Sequence, residues 1–262
     1  MTTKSSEPIL ISEPNSEGAY PNYYPNEAPN KNIEREGSDI ELGVERTFDK
    51  QLRMGFIRKV YGILSAQLLI TVAFVGCSFI PEVNTFMYNN IGLFYAAMCL
   101  NIIIIFSMVC FPRLFRSVPT NYILLMVWTI CEAYMVGTVT AFNPPEIVMT
   151  AAALTAAVSV ALTVYAWTTK TDFTFLGGFL FVFTFVMLMW GLLMLIFGFF
   201  LYTLYCVCGV ILFSVYLIFD TQLIMGRFGM EYSIDDYILA ALNIYIDIIQ
   251  LFLYILSILR RD

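Results

Sequence analysis

Asp220 and Asp247 lie inside the last two long apolar runs of the chain. A carboxylate at membrane depth costs several kcal/mol unless it is paired, protonated or facing water, so such a residue is a functional candidate from the outset. The point midway between them falls at Ser233/Ile234, within the polar stretch Glu231-Tyr232-Ser233-Ile234-Asp235-Asp236. An antiparallel hairpin about that turn brings both aspartates to about the same depth. Two carboxylates side by side can share a proton, attract a cation or act as the acid and base of an aspartyl protease. The protease needs Gly-x-Gly-Asp around one of them. Asp220 instead follows Leu217-Ile218-Phe219 and Asp247 follows Ile244-Tyr245-Ile246, so the chain reads as no enzyme. The plainer structural alternative is a carboxylate that only hydrogen-bonds a neighbouring helix, such as Asp220 capping near Thr221.

Glu132 is a third acid at membrane depth. It lies either on an ion path or in a hydrogen bond to a Tyr or Asn of the bundle. Asn243 stands one turn before Asp247 and shares its helix face, where it bonds the pair or bridges helices. Asp235 and Asp236 suit the N-terminal dipole end of the last span. Histidine is absent, which removes His nucleophiles, His metal sites, rhomboid-like serine proteolysis and the usual neutral-pH switch. Any pH sensing must come from carboxylates. No lysine follows Lys170, so an opsin-type retinal linkage is also excluded. The six cysteines all fall in apolar runs and read as small buried residues. Cys206 and Cys208 would project roughly 200° apart on a helix, a poor geometry for one metal.

These residues must be positioned by membrane helices. Hydrophobic residues make up 59% of the 262, against about 45–50% in soluble domains. The excess sits in runs of about 20 residues, the length that crosses a hydrocarbon core. Seven spans are expected, at 60–80, 91–111, 122–142, 147–167, 173–196, 200–222 and 237–259, with Phe197-Gly198-Phe199 dividing the long uncharged stretch. Only an all-α bundle satisfies every backbone group in lipid. The small-residue run Thr150-Ala151-Ala152-Ala153-Leu154-Thr155-Ala156-Ala157, Gly177-Gly178 and Gly209 suit close helix packing.

Residues 1–50, with Pro8, Pro14, Pro21, Pro25 and Pro29 and little aliphatic content, read as a disordered tail ahead of a membrane domain at 51–262. No removable signal peptide is evident, so the first span should serve as signal-anchor. Eight of the fourteen basic residues precede that span. Arg113, Arg116, Lys170 and Arg227 fall in the even-to-odd loops, and the odd-to-even loops carry none. That distribution puts the N-terminus in the cytosol. Seven crossings leave Arg260 and Arg261 on the far side, against the bias, so the last segment either crosses fully or re-enters.

Five motifs in order carry a resemblance. They are Phe56-Ile57-Arg58-Lys59-Val60-Tyr61-Gly62-Ile63-Leu64-Ser65-Ala66-Gln67-Leu68-Leu69, Thr129-Ile130-Cys131-Glu132-Ala133-Tyr134-Met135-Val136-Gly137, Ile218-Phe219-Asp220-Thr221-Gln222, Asp236-Tyr237-Ile238, and Leu242-Asn243-Ile244-Tyr245-Ile246-Asp247-Ile248-Ile249-Gln250-Leu251-Phe252. Together, over about residues 50–259, they resemble the Bax inhibitor motif family, in its lifeguard branch. The resemblance implies a seven-helix bundle with the last helix near the centre. It also implies a pH-sensitive calcium leak in an intracellular membrane and restraint of cell death. The family's paired aspartates match Asp220 and Asp247. Its arginine lock, at the end of the second span, matches Arg113 best and Arg116 second.

Two carboxylates sharing a proton titrate as a unit. Losing the proton leaves two like charges that repel and can attract a divalent cation. Oxygen ligands suit calcium, bound transiently by Asp220 and Asp247, and the missing histidine disfavours zinc. Calcium is then cargo, leaking down its gradient or exchanging for protons, and no cofactor is expected. The expected partners are the lipid bilayer, calcium, protons and, through the N-terminal tail, cell-death regulators; no nucleic acid is expected. Endoplasmic reticulum or Golgi is the expected location, with lysosome and plasma membrane as alternatives. The competing reading is a membrane scaffold that suppresses death signalling without conducting.

Overall fold

A computed structural model describes residues 31–111, 113, 116–198 and 201–260. The chain divides into two units, residues 1–47 and 48–262. Of the first, the described residues belong to helix α1 (Lys31–Ser78). The expected disordered tail lies outside the described residues up to position 30, but its residues 31–50 are helical. Pro29 is the last proline before α1, and eight of the residues 31–50 are Glu, Lys or Arg, which favour helix. A helix once nucleated adds residues at little cost.

In the second unit α1 is followed by α2 (Pro81–Asn89), α3 (Ile91–Cys110), α4 (Thr120–Ala141), α5 (Pro145–Thr168), α6 (Gly177–Phe197), α7 (Tyr202–Met225) and α8 (Tyr237–Leu259), with short 3-10 turns opening α6 and α8. Seven of the described helices are long and apolar enough to cross a membrane; α2 is the exception. The expected spans are all present, most within three residues. The first begins earlier, at Thr47, because Phe48, Leu52 and Phe56 extend its apolar run. The short α2 falls where a plain loop was expected. Pro81 opens it, where a missing N–H costs nothing, and Glu82 favours its dipole. Asn84 ties α2 to the end of α4 by donating to the Ala141 carbonyl at 2.9 Å.

Helix α8 is the axis of the bundle. Of its most apolar stretch 61% is buried, against 44% for α4 and 11–28% for the other five spans. Ala240, Ala241, Ile244, Tyr245 and Leu251 are almost fully enclosed, as are Val60, Val136, Ala151 and Leu217 on the surrounding helices. The outward faces of α3 and α6 are Phe, Ile, Leu and Val, the surface that lipid solvates. Close approach occurs at few points. A Cβ on Gly209 of α7 would meet the Tyr254 ring of α8 at 2.6 Å, and one on Gly137 of α4 would meet the Phe74 carbonyl oxygen of α1 at 3.2 Å. Gly178 faces open space. In the small-residue run of α5 only Ala151 and Thr155, one turn apart, face inward.

The bundle end bearing the α7–α8 turn is tied by polar contacts. Arg53 of α1 donates to the carbonyls of Leu223 and Tyr232, both at 2.7 Å. Arg116 forms a bidentate pair with Asp236 at 2.7 and 3.0 Å. The Lys59 ammonium stands over the Tyr237 ring, 3.2 Å from its centroid. Gln222, fully buried, accepts from the Phe173 amide and donates to the Thr171 carbonyl, which pins the α5–α6 connection to α7.

Candidate functional site

Why α7 and α8 lie together follows from their turn. Helix α7 stops at Gly226, whose φ of +65° closes it with a left-handed cap. Glycine suits this position, because its φ is one that L side chains rarely adopt and a Cβ would stand 2.1 Å from Glu231 Oε2 and 2.7 Å from Arg53 Nη2, so both side chains would have to shift. Arg53 presents its cation to the last turn of α7, the negative end of the helix dipole, and pairs with Glu231 at 3.4 Å. The chain then reverses through residues 227–236 and starts α8, so the two helices run antiparallel and in contact.

This hairpin places Asp220 and Asp247 side by side. Their exposures are 5% and 3%, and their carboxyls are within side-chain hydrogen-bonding reach of each other. Among the described residues neither aspartate forms an ion pair. Asp247 Oδ2 has no donor among the described residues. Buried polar atoms rarely stay unmatched, and a proton on the pair would match this one. A lone buried carboxylate would be severely destabilising. The two face each other without a basic partner among the described residues.

Asp220 has a second neighbour that its position in sequence does not announce. The Tyr232 hydroxyl donates to Asp220 Oδ1 at 3.0 Å and accepts from Asn243 Nδ2 at 2.7 Å. Asn243 therefore reaches the pair through Tyr232. Burial, and then the neighbouring Asp220 carboxyl, hold the Tyr232 phenol well above its ordinary range, so it stays a neutral donor. The clue in the sequence is slight: Tyr232 lies beside the midpoint of the segment joining the aspartates.

The other candidates stand apart from the pair. Arg113 is exposed in the connection between α3 and α4, and Arg116 is engaged with Asp236, whose hydrogen bonds hold its guanidinium pKa above the ordinary value. The structure brings neither arginine to the aspartates. Glu132 of α4 is buried at 9% exposure and accepts from Asn101 Nδ2 of α3 at 2.8 Å. Around it a separate set of polar links crosses the bundle, Gln67 to Thr129 at 3.0 Å and Thr71 to Tyr245 at 2.6 Å. No group of three or more acids, histidines or cysteines is placed to hold a metal among the described residues. With about 6–8 oxygens wanted by calcium, two carboxylates suit a passing ion better than a resident one.

Residues 53–262 match the sequence profile of a family described as "Inhibitor of apoptosis-promoting Bax1". The chain is similar to human Protein lifeguard 3, at 36% identity over 217 residues, covering 80% of this chain and 70% of that protein. It is likewise similar to mouse Protein lifeguard 3, at 34% identity over 87% of this chain and 76% of that one. With Protein LIFEGUARD 4 of Arabidopsis thaliana the identity is 37%, over 86% of this chain and 92% of that protein. Each alignment is long enough to take in most of the seven-helix domain.

Proposed function

The chain belongs to the Bax inhibitor motif family, among its lifeguard proteins, and from that premise we propose that it is a pH-sensitive calcium leak pathway gated by Asp220 and Asp247. The family's description, "Inhibitor of apoptosis-promoting Bax1", associates it with inhibition of apoptosis. Control of calcium in an intracellular membrane, endoplasmic reticulum or Golgi, is the proposed route to that effect, with the N-terminus cytosolic. One observation carries the reading: two buried carboxyls that face each other on adjacent helices, one with an oxygen that has no donor among the described residues.

The mechanism follows from charge. With one proton between them the carboxyls form a hydrogen-bonded latch joining α7 to α8. Without it, two like charges in a low-dielectric site repel strongly. Either the helices separate there or a cation enters between them, and a divalent ion with a taste for oxygen fits best. The same group thus opens the path and attracts the ion, and flux rises as the proton leaves. Glu132 and its links to Asn101, with Thr71–Tyr245 beside them, line a second polar zone that extends the path.

Calcium flux into proteoliposomes, measured from about pH 6 to 8, tests this. Wild type should conduct with a pH dependence, and the double variant Asp220→Asn, Asp247→Asn should lose that dependence. Flux no greater than in protein-free vesicles would reject the leak and favour a scaffold acting through protein partners. Flux that the double variant leaves unchanged would move the gate elsewhere.

A further inference from the structure

We propose that Tyr232 is the positioning residue that sets the pH at which the aspartate pair releases its proton, and that Arg53 holds it there. The proposal rests on the reading of the pair as a titrating gate. Its geometry is independent of that reading. The Tyr232 side chain reaches Asp220 at 3.0 Å and is itself held by Asn243 at 2.7 Å, while its backbone carbonyl accepts from Arg53 at 2.7 Å. One residue of the turn is therefore fixed at both ends, by α1 through its main chain and by α8 through its phenol.

The electrostatics give the effect a sign. A hydroxyl that donates to a carboxylate stabilises the charged form. Tyr232 thus favours the deprotonated pair and places the donor on the Asp220 side, leaving the shared proton toward Asp247. Few other groups compete. Besides Tyr232, Tyr216 of α7 faces the pair. Helix α6 carries no titratable side chain, and α5 carries none between Glu146 and Tyr165. On α4, Glu132 stands by Tyr245, away from the aspartates. On α1, Arg53 is engaged with two carbonyls and Glu231, and Lys59 with the Tyr237 ring.

Tyr232→Phe removes the donor and leaves the Arg53 contact, which is to the main chain. Losing a hydrogen bond to a charged group corresponds to about one pH unit. The proton release of the pair, followed in full-length protein by the infrared band of protonated carboxyls, should move to higher pH by about that amount. The pH profile of calcium flux should move with it, in the same direction. Arg53→Gln should move both in the same sense by less, because the turn loosens but keeps its phenol. Asp220→Asn and Asp247→Asn assign the band. Melting curves of each variant establish that it is folded. A Tyr232→Phe titration that overlays wild type, in a folded protein whose band is lost in the aspartate variants, overturns the role of Tyr232 and leaves the gate standing. A shifted band without any calcium flux in wild type sustains the role of Tyr232 and rejects the leak. A band absent in wild type rejects the shared proton, and the role of Tyr232 with it.

Discussion

At the scale of single residues, the buried acids of the bundle come with polar neighbours. Asp220 has Asp247 and Tyr232, and Glu132 has Asn101. Asn101→Leu leaves the Glu132 carboxyl buried without its donor, and an unmatched buried group costs about 1–3 kcal/mol. Thermal melting should show an apparent midpoint lowered by several degrees. Glu132→Gln, which keeps a partner for Asn101, should lower it little and leave the pH midpoint of flux where it is in wild type. A midpoint displaced by Glu132→Gln would join the two zones electrically. The aspartates were legible in the sequence because charge inside an apolar run has few explanations. Tyr232 and Arg53 were not, because a tyrosine near a membrane boundary suits the aromatic belt and an arginine before the first span suits orientation. What gives them another meaning is the path of residues 226–236, which depends on packing. The arginines offered by family resemblance, Arg113 and Arg116, sit at the same end of the bundle but away from the pair, one exposed and the other committed to Asp236.

At the scale of elements, the α7–α8 hairpin does most to build the site, and two glycines set it. Gly209→Ala inserts a methyl where the Tyr254 ring already stands at 2.6 Å. Overpacking of that kind costs about 1–3 kcal/mol, equivalent to an apparent melting temperature about 2–10 °C lower in a protein of this size. Gly226→Ala adds strain at positive φ to a collision with Arg53 and Glu231. It should cost a similar amount and, by displacing Arg53, shift the pH profile as Arg53→Gln does. An unshifted profile in the folded Gly226→Ala protein would separate the cap from the gate. Helix positions could be read from hydrophobic length alone, and α8 matches the expected 237–259. The short α2 could not, because a nine-residue amphiphilic segment carries no length signal and owes its place to contacts such as Asn84 with Ala141. Packing faces were also hidden: of the glycines and alanines offered as contact points, Gly209 and Ala151 are, and Gly178 is not.

At the scale of the molecule, α8 is unbroken over 23 residues, a length of about 35 Å, enough to cross a bilayer once. The two termini should therefore lie on opposite sides. In sealed vesicles with the cytosolic face outward, added protease should remove an N-terminal epitope and spare a C-terminal one; loss of both would restore a re-entrant last segment. Among the described residues the first side chain of the site is Arg53, and residues 48–262 form a unit of their own, so deletion of residues 1–47 should leave flux and its pH midpoint unchanged. Flux lost on that deletion would give the tail a part in conduction. The claim on which all this turns is that Asp220 and Asp247 act as one titrating group. The most direct test is a double-mutant cycle on the calcium flux of reconstituted full-length protein across pH. Asp220→Asn, Asp247→Asn and the double variant should each abolish the pH dependence to the same extent, since removing either partner removes the shared proton. Effects that add, each single variant retaining its own part of the pH dependence, would contradict it.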